Sequence, residues 1–251
     1  MKEGKYIYCI IKRDKPQSFG PLGIGGRGDE LHTICFQNIA TVVSNSPMIK
    51  YSTSRENLLA HEKAIEEVME KHTVLPVRFS TIAEDEEEVE KILEKEYDRF
   101  VALLKDMKSK KELGLKAIFK EEVIYKDILE KYKDIKRLKE RISTIPPERT
   151  YYQRMEIGDM VEAALQKEKE IYKKGILNTL LPLAVEVKNN NTYGERMIIS
   201  AAFLVEEHKE PEFDQKVQEL GEKHGNKIEF KYVGTVPPFN FVNLAIKTSG
   251  Y

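Results

Sequence analysis

The sequence predicts an α+β protein with two domains, and three observations lead to that class. Short segments rich in β-branched and aromatic residues alternate with segments whose apolar residues recur at helical spacing. The composition, with 33% charged and 41% apolar residues, is typical of a globular protein with long solvated helices. Pro146 and Pro147 follow a polar, helix-prone segment. We therefore expect one domain over residues 1–145 and a second over residues 146–251.

The first domain opens with three predicted strands. Residues 5–12 are rich in β-branched and aromatic side chains, and a Pro- and Gly-rich stretch after them predicts a loop. Two further strands, residues 31–36 and 39–45, are separated only by Gln37 and Asn38, which suit a tight hairpin.

Two helices and two more strands follow, before a polar helix over residues 121–145 that ends this domain. Ser54 is a good N-cap for a helix that ends near Lys71 and places five residues on one face: Leu58, His61, Ile65, Val68 and Met69. Residues 73–82 predict a strand. Because proline has no N–H for the ladder, Pro76 places this strand at an edge, at a bulge, or with that position facing away from a neighbour. A helix over residues 84–107 and a strand over residues 113–120 follow. The resulting order is close to the β-α-β-β-α-β class, a split sheet with helices on one face.

The second domain is predicted to contain long helices and a hairpin. After a polar helix over residues 121–145, residues 148–186 predict one long helix or a broken pair, because Gly158, Gly175 and Pro182 weaken it. Residues 196–205 are mostly apolar at both odd and even positions, which is typical of a central strand covered on both faces. A helix starts at Pro211, and residues 227–234 and 241–247 predict a hairpin.

Charge and hydropathy exclude several classes of function. The 41 Lys and Arg residues nearly balance the 42 Asp and Glu residues, so no overall field attracts nucleic acid or an anionic membrane surface. No apolar run approaches the roughly 18 residues of a membrane-spanning helix. We therefore expect a cytoplasmic protein with no nucleic-acid or membrane partner. Cys9 and Cys35 lie in apolar, strand-like segments and are interpreted as buried reduced thiols.

A search for catalytic or metal-binding patterns finds none that is complete. The GIGGRG stretch at residues 23–28 precedes a strand, whereas a dinucleotide fingerprint precedes a helix. His61 and Glu62 open like a zincin motif, but Ile65 occupies the position of the second histidine. We expect no catalytic residue, cofactor or metal. One alternative stays open, a small-ligand sensor or enzyme that uses the Gly-rich loop with His61 and Arg78.

Arg78 is unusual because it is a charged residue inside an apolar strand. Leu75, Val77 and Phe79 share one face of that strand, and Arg78 faces the other way. Its guanidinium could form a structural ion pair with an acid such as Glu62, or it could contact a partner. Both interpretations are compatible with the sequence.

Five segments together resemble the GvpF/GvpL family of gas vesicle proteins. In chain order they are YIYCII, ATVVSNSP, NLLAHE, TVLPVRFSTI and GTVPPFNFVNL, and the resemblance runs from Tyr6 to Ile246. Two positions depart from the family pattern. Ser80 stands where a glycine is usual, and Val236 stands where a Gly-Pro-Trp-Pro-Pro-Tyr-type motif has its tryptophan.

The resemblance implies both a fold and a role. It implies a ferredoxin-like N-terminal domain and a C-terminal α+β domain. It also implies a non-enzymatic, chaperone-like accessory protein of gas vesicle assembly, present as a minor vesicle component. The implied partners are the hydrophobic shell protein GvpA and other gas vesicle accessory proteins. We expect the contact surface for the shell protein to lie around His61, Glu62, Arg78 and Phe79.

Overall fold

A computed structural model describes residues 2–248 of the chain and divides them into two compact units. The first unit comprises the described residues up to Glu112 together with those from Thr235 onward, and the second is Leu113–Gly234. Two separate sheets, with helices between their strands along the chain, confirm the α+β class. The division differs from the expected boundary at residue 145, because the chain leaves the first unit earlier and returns to it near its end.

The first unit is built on a six-stranded sheet in the order β2-β3-β4-β1-β5, with β6 also paired to β1. Its strands are β1 (Glu3–Ile11), β2 (Ser18–Gly20), β3 (Leu31–Phe36), β4 (Ile39–Pro47), β5 (Val74–Pro76) and β6 (Ile82–Ala83). The strand expected over residues 73–82 is therefore two short strands. Both pair antiparallel with β1, Pro76 opposite Cys9 and Ile82 opposite Tyr6, and the residues between them form a bulged loop. The prediction that Pro76 lies at an edge is confirmed, since β5 ends the strand order.

Three helices cover this sheet, namely α1 (Arg55–Met69), α2 (Glu86–Lys95) and α3 (Tyr97–Met107). The predicted N-cap is confirmed, because the Ser54 side chain accepts a hydrogen bond from the Asn57 N–H. The single helix expected over residues 84–107 is interrupted at Glu96, whose backbone leaves the helical region. Helix α1 packs on one face of β1, where Tyr6 and Tyr8 contact His61. Lys5 lies on the opposite face of β1, and its Nζ pairs with the Glu86 carboxylate of α2 at 2.6 Å. Helices thus cover both faces of the sheet, whereas the sequence suggested one face.

The second unit contains a four-stranded sheet in the order β10-β7-β9-β8. In chain order its elements are β7 (Lys110–Phe119), α4 (Glu121–Lys131), α5 (Lys133–Ile142), α6 (Tyr151–Leu180), β8 (Ala184–Asn189), β9 (Met197–Glu206), α7 (Glu210–His224) and β10 (Ile228–Val236). The strand expected over residues 113–120 therefore belongs to this sheet. The expected central strand is confirmed in β9, which is buried along most of its length. The expected hairpin of residues 227–234 and 241–247 is wrong, because β10 pairs with β7 instead.

Helix α6 runs for 30 residues through both of its glycines. A Cβ added at Gly158 or Gly175 would meet nothing within 4 Å, so these positions face open space and cost only helix propensity. The helix ends before Pro182. A 3-10 turn over Leu181–Leu183 and then the edge strand β8 follow, so the helix does not extend to residue 186. Although α6 is long, it is polar, and no helix within residues 2–248 is long and apolar enough to cross a membrane.

A buried carboxylate fixes α6 to the junction between α4 and α5. Glu168 is 6% exposed and accepts hydrogen bonds from Lys131 Nζ at 2.6 Å and from the Tyr132 hydroxyl at 2.8 Å. Hydrogen bonds to a charged acceptor stabilise more than neutral ones, and a buried carboxylate needs such donors. Glu168 thus ties α6 to the residues that join α4 to α5, beside the apolar packing of Ile135 in the same core.

We predict that Glu168→Ala lowers the free energy of unfolding of the second unit by about 2 kcal/mol, because it removes both charge-assisted bonds. Urea denaturation followed by circular dichroism measures the change. The exposed Glu170→Ala on the same helix is the matched control and should stay within about 0.5 kcal/mol of the parent protein. Equal effects of the two substitutions would contradict the anchoring role.

Candidate functional site

The candidate site lies in the first unit, where the loop between β5 and β6 meets the C-terminal segment. Val77 forms an isolated parallel bridge with Leu244, and the Arg78 N–H donates to the Leu244 carbonyl at 3.3 Å. Each of these segments carries prolines beside apolar residues in the sequence. The fold brings them together.

The loop follows an unusual path at Ser80. This residue has φ of 64°, in the left-handed region that side chains with a Cβ rarely adopt. Its N–H donates to the Tyr6 hydroxyl at 2.9 Å, and its own hydroxyl accepts from the Tyr51 N–H at 3.2 Å. A glycine at this position would adopt the same turn without strain, whereas here two hydrogen bonds hold a serine in it.

His61 lies beneath this loop and is 3% exposed. Its Nε2 is 3.2 Å from the Val77 carbonyl, which can only accept, so Nε2 carries the proton. Nδ1 then accepts from the Tyr6 hydroxyl at 3.1 Å. Because the Tyr6 hydroxyl also accepts from the Ser80 N–H, one chain of hydrogen bonds joins α1, β1 and the loop.

Aromatic rings surround the imidazole. The Tyr8 ring stacks on it and the Phe79 ring meets it edge-on, each with its centroid 5.7 Å away, while the Phe239 ring lies 6.1 Å away. Burial lowers the pKa of His61 to about 4, although the bond to the Val77 carbonyl opposes that shift. His61 is therefore neutral near pH 7, and both of its nitrogens are engaged in bonds within the protein.

The guanidinium of Arg78 is exposed and bonded to Asn243. Its Nε and Nη2 donate to the Asn243 side-chain oxygen at 3.1 and 3.0 Å. The sequence suggested an acidic partner such as Glu62, but the bonded partner is the neutral amide of Asn243. This contact therefore does not neutralise the positive charge of Arg78. Glu62 itself is half-buried, and burial together with nearby Glu66 raises the pKa of its carboxyl.

Two apolar residues enlarge the surface beyond the four residues predicted from the sequence. Leu58, expected on the buried stripe of α1, is 42% exposed and lies one turn before Glu62. Phe239 is 39% exposed although its ring contacts His61. We call Leu58, Glu62, Arg78, Phe79 and Phe239, with His61 beneath them, the His61 patch.

A second buried carboxylate positions Phe239. Glu112 is 3% exposed and accepts from both the backbone N–H and the side-chain amide of Asn240, the former at 3.0 Å. The turn from Pro237 to Asn240 is thereby held against the first unit. Sequence reasoning missed this contact because nothing local to residue 112 indicates its partner.

The other residues singled out in the sequence have structural roles. The Gly-rich stretch forms a short 3-10 turn over Ile24–Gly26, in which the Ile24 N–H donates to the Tyr8 hydroxyl at 2.7 Å. Cys9 is fully buried, which raises the pKa of its thiol, and both cysteines are free. Within residues 2–248 no group of three His, Cys, Asp or Glu side chains is arranged to hold a metal ion.

Comparisons with known proteins agree on one family. The model of the gas vesicle synthesis protein GvpL/GvpF family matches residues 4–243. Gas vesicle protein F of Dolichospermum flosaquae is 24% identical over 95% of this chain and 97% of its own length. The crystal structure of GvpF from Anabaena sp. PCC7120 superposes with a TM-score of 0.82 at 23% identity, covering 97% of this chain and 100% of that one. The crystal structure of GvpF from Microcystis aeruginosa superposes with a TM-score of 0.77 at 25% identity, covering 96% of this chain and 99% of that one.

The lowered pKa of His61 makes stability depend on pH. As pH falls, the unfolded chain binds the proton near its ordinary pKa of 6.5, whereas the folded protein resists it down to about 4. The contribution of the neutral His61 side chain to the free energy of unfolding is therefore complete above pH 6.5 and is lost as pH falls toward 4. We predict a decrease of about 2 kcal/mol in the free energy of unfolding between pH of about 7.5 and about 5.

Urea denaturation at both pH values, compared with His61→Gln, measures this prediction. The pKa values of His72 and His224 are also lowered by burial, but these residues titrate alike in both proteins and cancel in the difference. An identical pH dependence in parent and variant would show that His61 is not held neutral.

Proposed function

Because the chain belongs to the gas vesicle synthesis protein GvpL/GvpF family, we propose that it is an accessory protein of gas vesicle assembly that binds the shell protein GvpA. In this role it covers apolar surface of shell subunits in the cytoplasm and limits their aggregation while vesicles nucleate and grow. It remains as a minor component of the vesicle, and other accessory proteins are further partners.

The observation that carries the proposal is the His61 patch. Leu58, on the same face of α1 as His61, and Phe239, beside the His61 ring, present apolar side chains to solvent. Phe79 is partly buried against His61, and the neighbouring Arg78 adds a directional hydrogen-bond donor. Shell subunits expose apolar surface before they polymerise, and such surface aggregates unless it is covered. A mixed patch of this kind covers apolar surface and fixes its orientation at the same time.

The support beneath the patch favours binding with little reorganisation. Phe239 rests on the His61 ring, and its turn is held by Glu112. The Arg78 side chain is held by Asn243. Side chains that are already ordered lose less conformational entropy when a partner binds, so a larger share of the contact energy appears as affinity.

The same contacts favour a binding role over a catalytic one. A general base needs a nitrogen within reach of a substrate, but both His61 nitrogens are bonded to Val77 and Tyr6. The Gly-rich loop is the main support for a ligand sensor or enzyme. Its Ile24 N–H donates a hydrogen bond to the Tyr8 hydroxyl within the protein. The residues that suggested chemistry in the sequence are thus engaged in holding the first unit together.

We predict that Arg78→Ala weakens capture of GvpA by roughly tenfold, since removing a central arginine from an interface commonly costs more than 1 kcal/mol. Titration of immobilised protein with solubilised GvpA measures the dissociation constant. Arg99→Ala, an exposed arginine on α3, is the matched control and should leave it within about twofold.

The thermal midpoints of both variants should match that of the parent protein, because Arg78 is exposed and its bonded partner is neutral. Unchanged capture by a folded Arg78→Ala protein would remove the His61 patch from the GvpA site. A protein that binds no GvpA at all, with or without the substitution, would overturn the proposed function itself.

A further inference from the structure

The second unit contains an apolar groove that the proposed function does not use. It lies among α4, α5 and α6 and has a volume of about 600 Å³. Leu129, Ile142, Ile157 and Val161 line its floor, and Lys139 and Arg154 stand at its rim. Three of the four floor residues are only partly buried at the margin of the unit's core, so apolar surface remains open to solvent.

The sequence of α5 explains why the groove is apolar within and basic outside. Ile135, Leu138 and Ile142 recur at helical spacing and are buried, while the remaining positions of this helix are charged and exposed. The last of the three reaches the groove. The other wall is the beginning of α6, whose Ile157 and Val161 are four residues apart and share a face.

The charged residues that line the groove, Lys139 and Arg154, are both basic. They lie in residues 133–154, where seven Lys or Arg residues and three Asp or Glu residues give a formal charge of +4. Lys131, just before this segment, is already paired with buried Glu168 and is not counted. The complement of this surface therefore carries acidic residues on either side of an apolar stripe.

We propose that this groove binds an amphipathic helix with acidic flanks that belongs to a protein partner. An apolar channel between helices accepts the apolar face of another helix, and the basic rim then meets the partner's acidic flanks. Phosphates of a nucleic acid would satisfy the rim but would leave the apolar floor exposed. The surface lies in the second unit, whereas the His61 patch lies in the first, so it adds a second binding function to the one proposed above.

The test uses the full-length protein and a fluorescent synthetic helix of about 18 residues, five turns, with leucines at one face and glutamates on both flanks. We expect saturable binding that a scrambled peptide of the same composition does not reproduce. The double variant Lys139→Glu/Arg154→Glu should weaken binding at least about tenfold. Lys174→Glu/Lys231→Glu changes the net charge equally at exposed lysines outside the groove. This control should change the dissociation constant of the peptide by less than about twofold.

Val161→Ala provides an independent variant, because it removes apolar surface from the groove floor at a partly buried position and keeps a residue that favours the helix. It should also weaken peptide binding, while Arg78→Ala should leave it unchanged, which separates this proposal from the GvpA site. Absence of binding, equal binding of the scrambled peptide, equal loss in both charge variants, or tighter binding of a single-stranded oligonucleotide would each overturn the proposal.

Discussion

The hydrogen-bond chain through His61 is the constraint on which the candidate site depends. A neutral imidazole donates once and accepts once, and leaving either nitrogen unpaired in the core costs about 1–3 kcal/mol. The Val77 carbonyl and the Tyr6 hydroxyl meet both requirements. They do so while the loop between β5 and β6 bulges away from β1, with Ser80 in the left-handed region. One buried side chain therefore fixes the path of the loop.

That path determines where the segment around Asn243 and Leu244 lies. The bulged loop presents the Arg78 N–H to the Leu244 carbonyl and the Arg78 guanidinium to Asn243, so the C-terminal segment returns to the first unit. Its turn, held by Glu112, rests Phe239 on His61. The result is a set of ordered apolar and basic side chains at the surface of a protein from the gas vesicle synthesis family. Both ring nitrogens of His61 are bonded within the protein, to the Val77 carbonyl and the Tyr6 hydroxyl.

Local features of the fold could be predicted from the sequence, and long-range partners could not. Helix α1 with its Ser54 cap and strand β9 follow from short-range periodicity. The strand at residues 113–120 was recognised but assigned to the wrong sheet, because a strand's apolar pattern does not identify its neighbour. Arg78 was a candidate because it interrupts an apolar strand, whereas its partner Asn243 lies 165 residues away. Phe239 was missed for the same reason, since only the returning segment places it over His61.

Photo-crosslinking tests most directly whether the His61 patch is the surface that meets GvpA. Benzoylphenylalanine replaces Phe239 in one protein and Tyr152 in another, both of which are exposed aromatic positions, and each protein is irradiated with GvpA. The account predicts covalent adducts from position 239 whose yield falls markedly, at GvpA concentrations near the dissociation constant, when Arg78→Ala is added, and few or none from position 152. Adducts from position 152 alone, or adducts from position 239 that are insensitive to Arg78→Ala, would contradict it.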